Sequence, residues 1–247
     1  CIRDRCELDR SGRGTQCNRK KEMPKRSSLD GNILGGGLSE YLVIPAWQII
    51  RMPDDVDMRH AALTEPLACC IHSIRKARLK FGDTVVIIGM GIMGYFHVKL
   101  AQMCGARIIV SETDEEKRKT AIREGAAYAF DPRQCDVGEE IRRLTDGLGA
   151  DAVINTIPFK EVWQQAIDML APYGRLIAYS SQNSKEPIGV DFGMVHSREI
   201  EFIGTLNPTI EDNQMAVKLI GYQMIDMEKV IDLSLIHISE PTRRRGI

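Results

Sequence analysis

From residue 80 to residue 221, short apolar runs alternate with amphipathic stretches. The runs at 84–88, 107–111, 127–130, 151–155, 174–180 and 200–204 are rich in β-branched residues and predict strands. Between and after them, residues 92–104, 114–124, 137–146, 159–170 and 209–221 repeat apolar positions at helical spacing. Gly105 and Gly125 follow two of these helical runs, and Asp114 precedes one. Six strands with intervening helices predict an α/β fold built on a doubly wound parallel sheet. Upstream, Met58 to Lys80 reads as one helical stretch leading into that sheet.

Outside this pattern the composition changes. Residues 1–30 are polar and basic, with nine Lys/Arg against five Asp/Glu and almost no apolar period. Residues 31–232 have the character of a folded protein, and Pro241 to Ile247 have neither a strand nor a helix period. There is no internal repeat. A hydrophobic content of 43% and a charged content of 27% suit an ordinary globular domain. A net charge of −1 gives no global field for nucleic acid or a membrane surface. No apolar run approaches the length of a membrane span, and the start does not read as a signal peptide. Neither nucleic acid nor membrane is therefore an expected partner. The seven cysteines are scattered, and Cys69, Cys70 and Cys104 sit in apolar helical patterns as buried thiols. That usage points to a reducing, cytoplasmic setting.

The chemistry is concentrated in TVVIIGMGIMGYFHVKLAQMCGARIIVSE, residues 84–112. A strand runs into Gly89-Met90-Gly91-Ile92-Met93-Gly94, a helix follows, and a second strand ends on Glu112. Gly89 permits the tight turn, Gly91 lets backbone approach a pyrophosphate, and Gly94 allows close helix–strand packing. The helix then directs its N-terminal N–H groups and positive dipole end at phosphates. Glu112 is 23 residues past Gly89, near the spacing expected of the acid that binds the adenosine ribose hydroxyls. A carboxylate there repels a ribose 2′-phosphate, which favours NAD over NADP. Two other readings stand beside this one: glycines that serve packing alone, and the glycine turn of a methyltransferase. Met90, Met93, Met103, Trp163, Tyr173 and Phe192 are expected as packing residues.

GGGLSEYLVIP (35–45), ALTEPLACCIHS (62–73) and FGDTVVIIGMGIMG (81–94) resemble the medium-chain dehydrogenase/reductase family, in its zinc-dependent polyol (sorbitol-like) branch. SETDEEKRKTAIREGA (111–126), GADAVINT (149–156) and REIEFIGT (198–205) extend the likeness over about 31–232. The resemblance implies a Rossmann domain with a remnant of a mostly β catalytic domain. It implies an oxidoreductase that passes hydride between an alcohol or polyol and NAD, with a catalytic zinc in the full-length parent and a homo-oligomeric assembly there. Glu65 then corresponds to a glutamate close to the zinc, often a ligand; otherwise it is a helix N-terminal acid before Pro66. Lys117 matches a basic residue beside the adenosine ribose. Tyr179, Ser180 and Ser181 match the strand end whose backbone turns toward the nicotinamide amide. His60 and His72 are expected as ordinary helix residues.

The family's upstream zinc-ligand cysteine and Gly-His-Glu motif have no counterpart in this chain. Against the family's structural lobe, C-x2-C-x2-C-x7-C, Cys17 and Cys6 align with Asp9 and Arg3 at the remaining places. The expected layout is an incomplete zinc-lobe remnant at 1–30 and the end of a catalytic domain with a bridging helix at 31–78. The dinucleotide domain follows at 79–222, a return to the catalytic domain at 223–233, and a non-native tail at 234–247. Residues 1–5 and 234–247 resemble translated adapter sequence. The piece by itself is expected not to turn over alcohols. A regulatory NAD-binding domain without catalysis is the main rival function.

Overall fold

Strand β1 (Thr84–Ile88) buries all five of its side chains, which is what a strand covered on both faces requires. The computed structural model describes residues 49–182 and 186–231. The zinc-lobe alignment at 1–30, the GGGLSEYLVIP segment and the tail at 234–247 lie outside them. Two units divide the described chain: Ser73–Thr205 forms one, and residues up to His72 with Leu206–Ile231 form the other.

In the larger unit, β1 is followed by β2 (Arg107–Ser111), β3 (Tyr128–Phe130), β4 (Ala150–Asn155), β5 (Leu170–Ala178) and β6 (Glu201–Gly204). All neighbours are parallel, in the order β3-β2-β1-β4-β5-β6. This is the doubly wound order of a Rossmann sheet, and it places the switch in direction between β1 and β4. The expected α/β class holds. Helices α3 (Ile92–Met103), α4 (Glu115–Arg123), α5 (Val137–Leu144), α6 (Lys160–Asp168) and α7 (Phe192–Arg198) fill the connections. Val86, Ile88, Ile109, Val153 and Leu176 of the sheet pack with Val137, Ile141, Trp163 and Ile167 of α5 and α6 in one buried cluster. Asp114, Asp136 and Asp191 each accept a backbone N–H in the first turn of α4, α5 and α7. Such caps satisfy donors that the helix itself leaves unbonded.

Some expectations need correction. The helix expected over 58–80 is two: α1 (Met58–Ala61) and α2 (Thr64–Ala77). Pro66 has no N–H to give the Ala62 carbonyl, and the Thr64 hydroxyl donates to the neighbouring Ala61 carbonyl at 2.7 Å. Strand β5 starts at Leu170, not 174, because its register against β4 jumps between Ala150↔Leu170 and Ala152↔Arg175. The extra residues are taken up where Tyr173 adopts φ +62°, which lifts its ring to 68% exposure. Tyr173 is thus no packing residue. Phe192 and Met103 are also exposed, and Cys69 and Cys104 are half-buried while Cys70 is buried. Helix α7, absent from the sequence reading, has seven residues and no buried side chain, so it carries no apolar period to read.

In the smaller unit, Asp57 caps α1 by accepting the Arg59 N–H at 2.8 Å, and the Arg59 side chain holds the Asp57 carboxyl below the usual carboxylate range. Helix α8 (Ile210–Gly221) opens on a capping box between Thr209 and Asp212. The buried Asp212 carboxylate also meets His72 Nδ1 at 2.8 Å, and Glu228 meets His60 Nε2 at 2.8 Å. Both histidines are therefore helix residues with acidic partners. Among the described residues, no helix is long and apolar enough to cross a membrane.

Candidate functional site

The switch between β1 and β4 is where an open parallel sheet offers a crevice beyond its strand ends. At the end of β1, Gly89 has φ +92°, a conformation that suits glycine. A Cβ added there falls 2.6 Å from Thr156 Oγ1 and 2.7 Å from Ile157 Cδ1. A Cβ on Gly94, in the first turn of α3, falls 2.0 Å from the Gly89 carbonyl oxygen. Gly94 therefore lets the helix sit directly on the turn. Gly91 differs from both, since a Cβ there meets nothing within 4 Å. It N-caps α3 in an extended conformation with no side chain bonded to the helix end. Ile92 and Met93, half-buried, complete the turn. The outcome is a 12-residue helix whose N-terminus has no side-chain cap and starts at a glycine with room beside its Cα.

Glu112 stands beside this turn, just past β2. Its Oε2 accepts the Met90 N–H at 2.7 Å, and its Oε1 accepts the Asp114 N–H at 2.9 Å and the Thr113 hydroxyl at 3.2 Å. The carboxylate is thus fixed by backbone on both sides. Asp114 caps α4 by accepting the Lys117 N–H at 2.9 Å, and that bond lowers the Asp114 carboxyl below its ordinary value. Lys117 is half-buried in the first turn of α4. Arg118 and Arg133 both donate to the Thr113 carbonyl and both pair with Asp131. These guanidiniums, Arg133 first, hold the Asp131 carboxyl well below the usual carboxylate range.

Across the crevice, Thr156 donates its hydroxyl to the Ile88 carbonyl at 2.7 Å. Asn155 is completely buried; its Oδ1 accepts the Ile157 N–H at 2.9 Å, while its Nδ2 has no partner. Tyr179, Ser180 and Ser181 follow the end of β5. The Ser180 N–H donates to the Asn155 carbonyl at 3.1 Å, and its hydroxyl to the Ile157 carbonyl at 2.8 Å. Tyr179 donates its hydroxyl to Met93 Sδ at 3.0 Å, and Ser181 is exposed. The structure therefore brings the glycine turn, Glu112 and Tyr179–Ser180 to the same edge of one sheet. Glu65, a buried residue of α2 with the Cys69 thiol 3.7 Å from its Oε1, belongs to the other unit.

His97, Asn155 and Thr156 were not singled out by the sequence. His97 lies within the apolar face of α3, where a ring-sized residue reads as core. Its Nδ1 is 2.7 Å from the Met93 carbonyl and its Nε2 is 2.9 Å from Ser73 Oγ. A carbonyl only accepts, so the proton belongs on Nδ1 and the Ser73 hydroxyl donates to Nε2. Burial pushes this imidazole down to about 4 from 6.5, only partly offset by the bond to Met93. An unfolded chain takes up a proton near pH 6.5 that folded His97 refuses until about pH 4. Stability from this group is thus whole above the unfolded pKa and declines as pH falls between the two values. At roughly 1.4 kcal/mol per unit, urea unfolding is expected to show about 2–3 kcal/mol less stability from this source at pH 4.5 than at pH 7. A pH difference of unchanged size in His97→Leu would show that another group is responsible.

The fit to a dinucleotide rests on the open space over Gly91, flanked by glycines whose own space is taken, and on the orphaned Asn155 amide at the same strand ends. Around Glu65 the described residues assemble no set of metal ligands. Among the described residues, one group of three possible metal ligands comes together, Asp57, His60 and Glu228, and it does not include Glu65.

Comparison with known proteins agrees with this geometry. Residues 92–221 match the family described as "Zinc-binding dehydrogenase". A sorbitol dehydrogenase of Halalkalibacterium halodurans is 28% identical over 92% of this chain and 64% of its own length. D-guloside 3-dehydrogenase of Escherichia coli is 33% identical over 58% of this chain and 42% of its own. The chain thus spans less than two thirds of either relative. Among solved structures, a zinc-binding dehydrogenase of Sinorhizobium meliloti, described as bound to NADP, superposes with a TM-score of 0.75 at 29% identity, over 81% of this chain and 59% of that one. The match covers more than half of the residues and includes the helix on which the glycine turn is built, so the chain belongs to the zinc-binding dehydrogenase family.

Proposed function

We propose that Ser73–Thr205 binds a nicotinamide dinucleotide, NAD in preference to NADP, as the cofactor part of an alcohol or polyol dehydrogenase. The observation that carries this reading is the contrast among the three glycines. Protein atoms occupy the space beside Gly89 and Gly94, and only Gly91 faces open space, at the end of an uncapped helix. The N–H groups of Ile92, Met93 and Gly94, with the dipole of α3, suit a pyrophosphate. Glu112, held in place by Met90 and Asp114, is set to accept ribose hydroxyls, with Lys117 beside the same ribose. The backbone of Tyr179, Ser180 and Ser181 is assigned to the nicotinamide amide. Bound there, the nicotinamide ring supplies a hydride acceptor or donor.

The names of the two relatives support a polyol or sugar substrate. Zinc and Glu65 remain part of the proposal for the whole protein, and no step is routed through them. The same proposal places a homo-oligomeric enzyme in the cytoplasm, which the four described cysteines, all outside disulfides, support.

Titration calorimetry with NAD, NADP and S-adenosylmethionine tests the reading. NAD is expected to bind at least about tenfold more tightly than NADP, because the Glu112 charge opposes a 2′-phosphate. Glu112→Gln keeps an oxygen for the Met90 N–H and removes the charge, so it is expected to narrow that gap. Binding of S-adenosylmethionine alone overturns the proposal in favour of a methyltransferase. Equal affinity of the unmodified chain for NAD and NADP, as the NADP-bound neighbour invites one to test, overturns the role given to Glu112.

A further inference from the structure

The imidazole of His97 costs more to bury than an apolar side chain of similar size, since its ring loses water on every side. What it provides in return is direction. Nδ1–H is fixed on the Met93 carbonyl and Nε2 on the Ser73 hydroxyl, so both in-plane ends of the ring are tied. The ring then meets the Tyr179 ring edge to face, with centroids 4.7 Å apart and planes at 84°. Tyr179 closes the circuit by donating its hydroxyl to Met93 Sδ at 3.0 Å. Three residues, Met93, His97 and Tyr179, therefore touch one another in turn, and Ser73 pins the middle one. Met93 belongs to the first turn of α3, which Gly91 N-caps with no side-chain bond. Tyr179 directly precedes Ser180, whose N–H and hydroxyl anchor the end of β5 to Asn155 and Ile157.

We infer that His97 is a positioning residue that locks the phosphate-facing turn of α3 to the strand end at Tyr179, so that a ligand long enough to touch both is gripped at a set spacing. The inference rests on the dinucleotide reading above. An extended NAD reaches both places, whereas ADP reaches the turn alone. A lock between the two places strengthens only the longer ligand; a residue that merely shapes the core changes both alike.

The test compares NAD and ADP by calorimetry on the unmodified chain and on His97→Leu, His97→Gln, Tyr179→Leu and the double variant His97→Leu/Tyr179→Leu. His97→Leu is expected to weaken NAD about tenfold and ADP by less than about twofold. His97→Gln, whose amide can still donate to the Met93 carbonyl, is expected to recover most of the NAD affinity. The double variant should lose no more than the worse single one, because both break the same lock. Equal losses for NAD and ADP, no loss for NAD, or losses that multiply in the double variant overturn the inference. Should His97→Leu fail to fold, the NAD-to-ADP ratio of His97→Gln set against Tyr179→Leu decides in the same way. If the unmodified chain binds ADP and NAD equally, the lock is refuted and the phosphate turn stands. If it binds neither, the dinucleotide reading falls and takes the inference with it.

Discussion

Gly91→Val is expected to weaken NAD binding by at least about a hundredfold, on the order of 3 kcal/mol, while the melting temperature moves by no more than about 2 °C. The backbone at Gly91 is extended, at φ −78°, which any L residue adopts without strain. A new Cβ there meets no protein atom within 4 Å. Its branched methyls then stand in the space assigned to the pyrophosphate. The matching change three residues on has the opposite character. Gly94→Val places a Cβ 2.0 Å from the Gly89 oxygen, and neither backbone can retreat without parting α3 from β1. That variant is expected to lose the fold, as seen by circular dichroism. A folded Gly91→Val chain with unchanged NAD affinity would make the turn a packing device and nothing more.

Arg175→Met is expected to cost about 3–5 kcal/mol of stability by urea unfolding. Arg175 is a buried cation in β5. Its Nη1 donates to the carbonyls of Ala77 and Arg78 at 2.6 and 2.7 Å, at the end of α2 where Arg78 turns to φ +49°. Its Nη2 meets Asp83 Oδ2 at 2.7 Å, and its Nε meets the Asp151 carbonyl at 3.2 Å. Removing the guanidinium leaves a carboxylate and three carbonyls short of a donor in a site largely closed to water. Each such group carries a desolvation cost that its bond had offset. A drop below 1 kcal/mol would mean that water reaches these carbonyls in place of arginine. NAD affinity serves as the control, because none of these atoms lies at the strand ends that form the crevice.

Much of this architecture is written in local residue choice. The run TVVII has one reading because both faces of β1 are covered, and Gly105 and Gly125, with φ of +73° and +113°, mark helix ends by a conformation that few other residues accept. The glycine turn was legible for the same reason: each of its three glycines answers a different steric demand. Features made by distant neighbours were not legible. Nothing near Tyr173 announces the register jump against β4, which depends on how two strands far apart in sequence happen to pair. His97 looks like core in sequence because it is core; its chemistry appears only when Ser73 and Tyr179 arrive from other elements. Asn155 was hidden likewise, since an orphaned amide is defined by what fails to reach it.

Strand order also fixes the sequence in which this sheet can be built. β1 pairs with β2, and β2 with β3, each across a connection that carries one helix. The other edge of β1 waits for β4, and Asp151 takes the Thr84 N–H from 67 positions further along. Closing so long a span is slow because the chain loses entropy before any new contact forms. Until then Val85, Val86 and Ile87 present an apolar strand edge to whatever else is in solution. On the ribosome, at about 5–20 residues per second, that exposure lasts for several seconds. The strand that later carries the glycine turn at its tip therefore keeps one edge open to aberrant pairing while the protein is being made.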